Sequence, residues 1–445
     1  MPGLDQRLPN YLTPLQFKNL SQWQTATAIS LFVGYSGYYL CRSNLAIATP
    51  LIIQEYAAAG LNKEVMGQIA AMGVVFYAVG KVVNGVLGDF IGGKKVFVLG
   101  MLGSILATVL FGFGEGVLFF GAIWAFNRLI QSMGWGGLLK ITANWFSYKS
   151  YGKIMSFLSL SFLVGDIVAK LLLGHFLNLG MGWRGLFYVA AGLLALIALI
   201  NVIFLKNSPE QVGFAAPPTN PNNLHAQTTN QTAAPTSLRE LLTPYFKNVS
   251  FQLVLVMSFG LTAIREAFNF WLPTYLFETS HQSEGWASQI SALYPVFGMV
   301  SILATGYLSD TFLKGGRGRI IWVASLLLAL VLGLMAAGFT GEYLPLVFIS
   351  LTGLLLLGPY SFLAGAMSLD AGGHKGAATA AGLVDAVGYL GGTLALWLTG
   401  FLAEHAGWNT AFLFLAGLAL ITAITALYYY RSQELPALQS RTQES

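Results

Sequence analysis

The stretch GYSGYYLCRSNLAIATP, from Gly34 to Pro50, places one full positive charge, Arg42, among apolar and aromatic residues. A segment of this composition is typical of a helix that crosses a membrane, where a charged side chain is costly. The charge therefore needs either a partner or a function. Two questions follow: whether the chain lies in a membrane, and what the arginine does there.

The composition of the whole chain is that of an integral membrane protein. Of its 445 residues, 55% are hydrophobic and 9% are charged, whereas soluble domains carry about 25% charged residues. A helix crosses the bilayer core in about 20 apolar residues, and long continuous apolar runs exclude a barrel of alternating strands. We therefore predict an all-α integral membrane protein with 12 transmembrane helices. The predicted helices span 26–53, 65–90, 95–117, 119–146, 152–178, 184–206, 250–278, 286–310, 319–339, 343–369, 376–403 and 408–430.

The distribution of lysine and arginine predicts the orientation, because cytoplasmic loops are enriched in both. Alternate segments carry fifteen of these residues, and the opposite loops carry only Lys63 and Arg184. We expect both termini to be cytoplasmic, in a multi-pass protein of the cell (inner) membrane. The expected partner is the lipid bilayer, with no nucleic acid, and we expect a monomer. The fifteen are Arg7, Lys18, Lys94, Lys95, Lys149, Lys153, Lys206, Arg239, Lys247, Lys314, Arg317, Arg319, Lys375, Arg431 and Arg441.

The sequence repeats itself on either side of a polar segment. GVLGD at 85–89 recurs as GYLSD at 306–310, 221 residues later, and GWRGLF at 182–187 recurs as GWNTAF at 407–412, 225 residues later. Parallel repeats of six helices place a substrate site near the midplane, between the repeats. We predict two pseudo-symmetric six-helix bundles. The parts are a cytoplasmic N-terminal segment (1–25), the first bundle (26–206), a cytoplasmic linker (207–249), the second bundle (250–430) and a cytoplasmic tail (431–445).

Charged residues inside the predicted helices are the candidate functional residues, since each costs about 2.5–3.5 kcal/mol at a helix centre. Such a charge persists when it is paired or when it lines a wet cavity. The cations are Arg42, Lys81, Arg128, Lys140, Lys170 and Arg265, and the acids are Asp166, Glu266 and Asp385.

Arg42 and Arg265 are 223 residues apart, in the register of the repeat. Both lie about 23 Å along their helices, so they can face each other from the two bundles. Two guanidinium groups can clamp a phosphate or carboxylate. Glu266 is adjacent to Arg265, but neighbours on a helix point about 100° apart, so we do not expect these two to pair.

The remaining interior charges have less definite roles. Lys81 lies too deep to reach the membrane surface easily, and we expect it to face the cavity. Asp166 and Lys170 are spaced i, i+4, which favours a structural ion pair. Arg128 has two interpretations: membership of a coupling network, or a pair with Asp385.

Two tyrosines and two helix ends complete the candidates. Tyr38 and Tyr39 lie one turn before Arg42 and can donate to an anion. The pattern G-x-L-x-D followed by basic residues occurs twice, which predicts a cytoplasmic latch that fixes one conformation. Its residues are Asp89, Lys94, Asp310 and Arg317. The sequence contains no nucleophile–base or metal-ligand constellation, so we expect neither an enzyme nor a cofactor.

Six segments in order resemble the organophosphate:phosphate antiporters of the major facilitator superfamily. In that family a helix 1 arginine and a helix 7 arginine grip the phosphate, and a helix 2 lysine contributes. The resemblance places these roles on Arg42, Arg265 and Lys81. The segments are GYSGYYLCRSNLAIATPLI, FYAVGKVVNGVLGD, QSMGWGGLLKITANWF, IREAFNFWLPTYL, GYLSDTFLKGGRGR and KGAATAAGLVDAVGYLGG.

The resemblance implies exchange of a sugar phosphate or glycerol phosphate for inorganic phosphate by alternating access. Two alternatives remain at this point. One is a proton-coupled symporter of organic anions such as sugar acids, with Asp166 or Asp385 as the proton site. The other is a membrane sensor that binds hexose phosphate.

Overall fold

The computed structural model describes residues 19–147, 150–217, 245–280, 282–313, 316–339 and 343–436. These residues contain thirteen α-helices, and no β-strand occurs among them. The first half of the molecule consists of α1 (Leu20–Tyr56), α2 (Lys63–Ile91), α3 (Gly93–Phe113), α4 (Val117–Trp145), α5 (Tyr151–Asn178) and α6 (Trp183–Phe204). The second half consists of α7 (Val249–Ser280), α8 (Glu284–Ser291), α9 (Leu293–Thr311), α10 (Arg317–Ala336), α11 (Leu344–Phe362), α12 (Ser368–His405) and α13 (Gly407–Tyr429).

Local chemistry accounts for several helix boundaries. α1 begins after Asn19, whose side-chain oxygen accepts the backbone N–H of Gln22 at 3.0 Å, an N-cap interaction. α8 and α9 are separated at Ala292, because Pro295 cannot donate to the carbonyl four residues before it. The two short helices together form one apolar span, Glu284–Ser309.

Ten helical segments among the described residues are long and apolar enough to cross a membrane. α1 and α4 are not among them, because they contain Arg42, Arg128 and many other polar side chains. α1 lies largely inside the protein instead. In α1 every residue from Tyr38 to Pro50 is buried except Arg42. A helix buried on all sides belongs to the interior of a bundle.

The same packing pattern occurs in both halves. α1 packs against α5 and α6, as α7 packs against α12 and α13, and α3 packs against α4 and α6, as α10 packs against α11 and α13. The halves meet where α2 contacts α12, where α5 contacts α8 and α9, and where α1 contacts α7. The repeat seen in the sequence therefore recurs in the packing, and it places α1 and α7 in equivalent positions.

A proline follows the arginine at the same distance in each of these equivalent helices. Pro50 lies in α1 and Pro273 in α7, each eight residues after Arg42 or Arg265. Each proline removes one helical hydrogen bond and favours a bend at that height.

Ion pairs join the two halves where α2 begins and α7 ends, a region we call the Lys63 end. The Lys63 ammonium group lies 3.1 Å from the carboxylate of Glu278 and 3.9 Å from that of Glu404. Beside it, His405 Nε2 lies 3.0 Å from Glu64 Oε2. Residues of α2 are thereby tied to α7 and α12 at this end.

The helix backbones also approach closely near this end, between α5 and α8. A Cβ atom at Gly174 would lie 2.8 Å from the carbonyl oxygen of Gly285, and a Cβ atom at Gly285 would lie 2.5 Å from the carbonyl oxygen of Gly174. Ser288 donates to the carbonyl of Lys170 at 2.8 Å. Hydrogen bonds between the halves occur at the Lys63 end and in the middle of the helices. The halves are therefore closed at the Lys63 end.

Candidate anion-binding site

Arg42 lies on α1 with its guanidinium group surrounded by polar and aromatic side chains. Its Nε donates to Gln131 Oε1 at 3.0 Å, and Nη1 donates to the Tyr39 hydroxyl at 3.0 Å. The guanidinium carbon lies 4.8 Å from the ring centre of Tyr39 and 4.5 Å from that of Tyr77. These are neutral partners, and no carboxylate among the described residues forms an ion pair with Arg42.

Arg128 shares two of these partners. Its Nη1 lies 3.4 Å from Gln131 Oε1, and its guanidinium carbon lies 4.7 Å from the centre of the Tyr77 ring. Arg128 is only 6% exposed. The structure therefore places Arg128 beside Arg42. The interpretation in which Arg128 pairs with Asp385 is wrong, because Asp385 has another partner.

The orientation of Gln131 is determined by its own donors. The side-chain nitrogen donates to the carbonyl of Cys41 at 2.9 Å, to Asn127 Oδ1 at 3.1 Å and to Ser104 Oγ at 3.1 Å. Because the nitrogen of this amide donates to these acceptors, the side-chain oxygen Oε1 points away from them. The two arginines lie on the side to which Oε1 points.

Arg265 lies on α7 and has a carboxylate partner, contrary to the sequence expectation. Its Nη2 forms a short ion pair with Glu266 Oε1. The expectation was wrong because it considered only the Cβ directions, whereas a long, flexible arginine side chain can fold back onto its neighbour. The guanidinium group also lies 4.6 Å from the Tyr360 ring, and both charged side chains are 18% exposed.

Lys81 and Asp385 connect the two halves. The ammonium group of Lys81, on α2, lies 2.9 Å from Asp385 Oδ2, on α12. The two side chains are 27% and 31% exposed, and the Tyr389 ring centre lies 4.9 Å from the ammonium group. Lys81 thus lies between the halves, and its anionic partner is accessible.

The predicted pair of Asp166 and Lys170 is confirmed. Lys170 Nζ lies 2.9 Å from Asp166 Oδ2, and the side chains are 1% and 5% exposed. Ser43 donates to Asp166 at 2.6 Å, and Lys170 donates to Asn269 Oδ1 at 2.6 Å. Since Asn269 lies on α7, this dry network also joins the halves. Sequence spacing predicted the pair, but not Ser43 or Asn269.

The two tyrosines before Arg42 have different positions. Tyr39 contacts Arg42, as predicted. The Tyr38 hydroxyl donates to the carbonyl of Phe97 and is 1% exposed, so the structure does not bring it to Arg42. Tyr77, which is not among the candidates from the sequence, contacts both arginines. Its position four residues before Lys81, on the same face of α2, could have indicated that Tyr77 belongs to the site.

The latch remains untested, because the side chains of Asp89 and Asp310 lie outside the described part of the structure. Lys94 donates to the carbonyl of Val202 at 2.8 Å, at the end of α6. Arg317 begins α10, where Glu434 accepts the next two backbone N–H groups at 3.1 and 3.3 Å.

The charges between the halves do not balance. Arg42, Arg128, Lys81 and Arg265 are cations, and two acids pair with the last two of them. The pair of Asp166 and Lys170 is neutral by itself. Among the described residues two positive charges therefore remain, both in the first half, and an anion of two negative charges would neutralise them. Phosphate esters carry about −1.5 to −2 at neutral pH.

Comparison with known proteins identifies the family. The family model described as the Major Facilitator Superfamily matches residues 31–396, and the chain belongs to this family of multi-pass membrane transporters. A solved structure of a bacterial homologue of the human lysosomal transporter Spinster, inward-facing and unoccupied, matches with a TM-score of 0.70 at 14% identity, covering 92% of this chain and 96% of that one. That likeness concerns the fold alone.

Within the superfamily, curated relatives carry phosphorylated substrates. The chain is 27% identical over 432 residues to the "Probable hexose phosphate transport protein" of Chlamydia trachomatis, covering 94% of this chain and 93% of that protein. It is 25% identical over 405 residues to the "Glycerol-3-phosphate transporter" of Bacillus subtilis, covering 89% and 90%. The resemblance to organophosphate:phosphate antiporters is thus confirmed, and both of these relatives are named as transport proteins.

Proposed function

We propose that the protein exchanges an organic phosphate, a sugar phosphate or glycerol phosphate, for inorganic phosphate across the cell membrane. The observation that carries this proposal is the excess of two positive charges between the halves, which a phosphate dianion would neutralise. The printed names of relatives at 25–27% identity over most of the chain support the same substrate class.

In this proposal twelve helices cross the membrane in two bundles, before and after the linker, and both termini are cytoplasmic. α8 and α9 count as one crossing, and α1 and α4 as two further crossings inside the bundles. The Lys63 end would then face outward. Since the halves are closed there, the structure would represent the state that is accessible from the cytoplasm.

The anion would bind between Arg42 and Arg265, from opposite halves. α1 contacts α7, and these two helices carry Arg42 and Arg265. Arg265 would leave Glu266 in order to bind the substrate. Unneutralised cations repel one another strongly in a medium of low dielectric constant, so the empty carrier would close poorly. A carrier that reorients only when loaded performs exchange.

The test is uptake of radiolabelled phosphate into proteoliposomes, either preloaded with phosphate or empty. We expect uptake only into loaded vesicles, and loss of uptake in Arg42→Lys and Arg265→Lys, since lysine keeps the charge but lacks the planar fork. The matched control is Arg184→Lys, because Arg184 pairs with Glu55 at 2.6 Å at the end of α1, away from the site.

Other outcomes would support the alternatives. Equal uptake into empty vesicles would refute exchange. Uptake of sugar acids driven by external acid and insensitive to internal phosphate would indicate a proton symporter. Tight binding of hexose phosphate without any uptake would indicate a sensor.

A further inference from the structure

Among the described residues neither Arg42 nor Arg128 has a carboxylate partner, in contrast to Lys81, Lys170 and Arg265. Both guanidinium groups contact one oxygen, Gln131 Oε1, at 3.0 and 3.4 Å, and both lie against the ring of Tyr77. Arg128 is buried and Arg42 is half-buried, and a cation withdrawn from water without an acid is unfavourable. Two such cations placed side by side repel each other as well.

The protein groups around the two arginines do not compensate these charges. Gln131 and Tyr39 supply neutral oxygen atoms, and Tyr77 supplies a ring face. The charge of Glu266 also acts on Arg128, but the carboxylate makes its ion pair with Arg265. A bound anion would supply the compensating charge.

The geometry also limits what kind of anion fits. Gln131 holds the two guanidinium groups close together by its fixed oxygen, so one small ligand can contact both. A doubly charged oxyanion would neutralise both arginines, and it has enough oxygen atoms to accept hydrogen bonds from both guanidinium groups. A single carboxylate would leave one buried positive charge uncompensated.

We propose that Arg128 binds the substrate phosphate directly, together with Arg42, so that the first half alone forms a site selective for doubly charged phosphate. This inference rests on the proposed function and extends it. Arg265 then acts as the third ligand, which joins when the halves close. Selectivity for the dianion arises from α1 and α4, and the organic moiety is left to face the second half.

The experiment is calorimetric binding of inorganic phosphate and of gluconate, a monoanion, to the full-length protein in detergent at about pH 8. The variants are Arg128→Gln and Arg128→Lys, with Arg184→Gln as the matched control. Loss of a charge-assisted hydrogen bond predicts about 10- to 100-fold weaker phosphate binding in Arg128→Gln. Gluconate binding should change much less, so the ratio of the two dissociation constants falls. Arg128→Lys should lie between wild type and Arg128→Gln.

The results separate this inference from the proposed function. If wild type binds phosphate and Arg128→Gln binds it equally well, Arg128 is not a ligand, and exchange through Arg42 and Arg265 still stands. If wild type prefers gluconate or binds no phosphate, both proposals fail. Thermal unfolding of each variant shows whether weak binding reflects misfolding. If Arg128→Gln does not fold, Arg128→Lys decides: unchanged selectivity there overturns the inference.

Discussion

Two ion pairs of equal length differ in their position and their surroundings: Asp166–Lys170 lies within α5, whereas Lys81–Asp385 joins the two halves. The Lys170–Asp166 distance and the Lys81–Asp385 distance are both 2.9 Å. The first pair is 1% and 5% exposed, and the second is 27% and 31% exposed. The comparison teaches that distance does not reveal which pair a substrate can replace, whereas accessibility does.

In the buried pair, Asp166–Lys170, a substrate cannot replace either partner. Asp166 also accepts from Ser43, and Lys170 also donates to Asn269, so each charge is fully engaged with the protein. In the accessible pair, the Asp385 carboxylate occupies the place on Lys81 that a substrate oxygen would take. We therefore interpret the first pair as structural and the second as exchangeable.

The largest effect should follow from removing one member of the buried pair. Lys170→Met leaves the Asp166 carboxylate buried without a counter-ion, which should lower the free energy of unfolding by about 3–5 kcal/mol. Chemical or thermal unfolding in detergent measures this change. The double variant Asp166→Asn, Lys170→Met should recover most of the loss, and a drop below about 1 kcal/mol in the single variant would contradict the structural role.

A smaller effect should follow from freeing Arg265. Glu266→Gln removes the carboxylate that competes with the substrate, so phosphate should bind roughly fivefold more tightly, about 1 kcal/mol for a partly exposed pair. Titration with inorganic phosphate provides the measurement, with Glu404→Gln at the Lys63 end as the control. Weaker binding in Glu266→Gln would show that Glu266 positions Arg265 rather than competing for it.

The accessible pair should contribute little to stability. Asp385→Asn should change the free energy of unfolding by about 0–1 kcal/mol, as expected for solvent-screened pairs. Phosphate binding should become tighter, because Lys81 loses its internal anion. The informative measurement is unfolding of Asp385→Asn and Lys170→Met side by side. Equal losses of stability would refute the distinction between the two pairs.

The smallest effect concerns the Lys63 end. Lys63→Gln removes two partly exposed ion pairs, together worth a few tenths of a kcal/mol, which should raise the population open at that end about twofold. The readout is labelling of Phe270→Cys by a membrane-impermeant thiol reagent. Background labelling should be low because Cys41, the single cysteine, is buried. An unchanged labelling rate in Lys63→Gln would mean that these ion pairs do not hold the end closed.

The sequence predicts those features that depend on composition or on local spacing. Membrane location follows from apolar content, and the equivalence of Arg42 and Arg265 follows from the repeat offset. The pair of Asp166 and Lys170 follows from i, i+4 spacing. Each of these signals is contained within one helix or one repeat.

The rest of the site depends on contacts between distant segments. Lys81 and Asp385 are 304 residues apart, and nothing in either local sequence indicates the other. Gln131 contacts Arg128 within α4, but it contacts Arg42 only because α4 packs beside α1. The pairing of Arg265 with Glu266 was missed for another reason: a flexible side chain, rather than the backbone, decides it.

The prolines in α1 and α7 have a mechanical consequence. Pro50 and Pro273 are equivalent hinge points, one in each half. Each lies between the helix segment that carries the arginine and the segment that leads to the Lys63 end. A force on either guanidinium group can rotate the helix segment before the proline while the segment after it stays in place. A bound anion that draws Arg42 and Arg265 together would then flex both joints at the same height, so the two bundles would move in step without losing their internal packing.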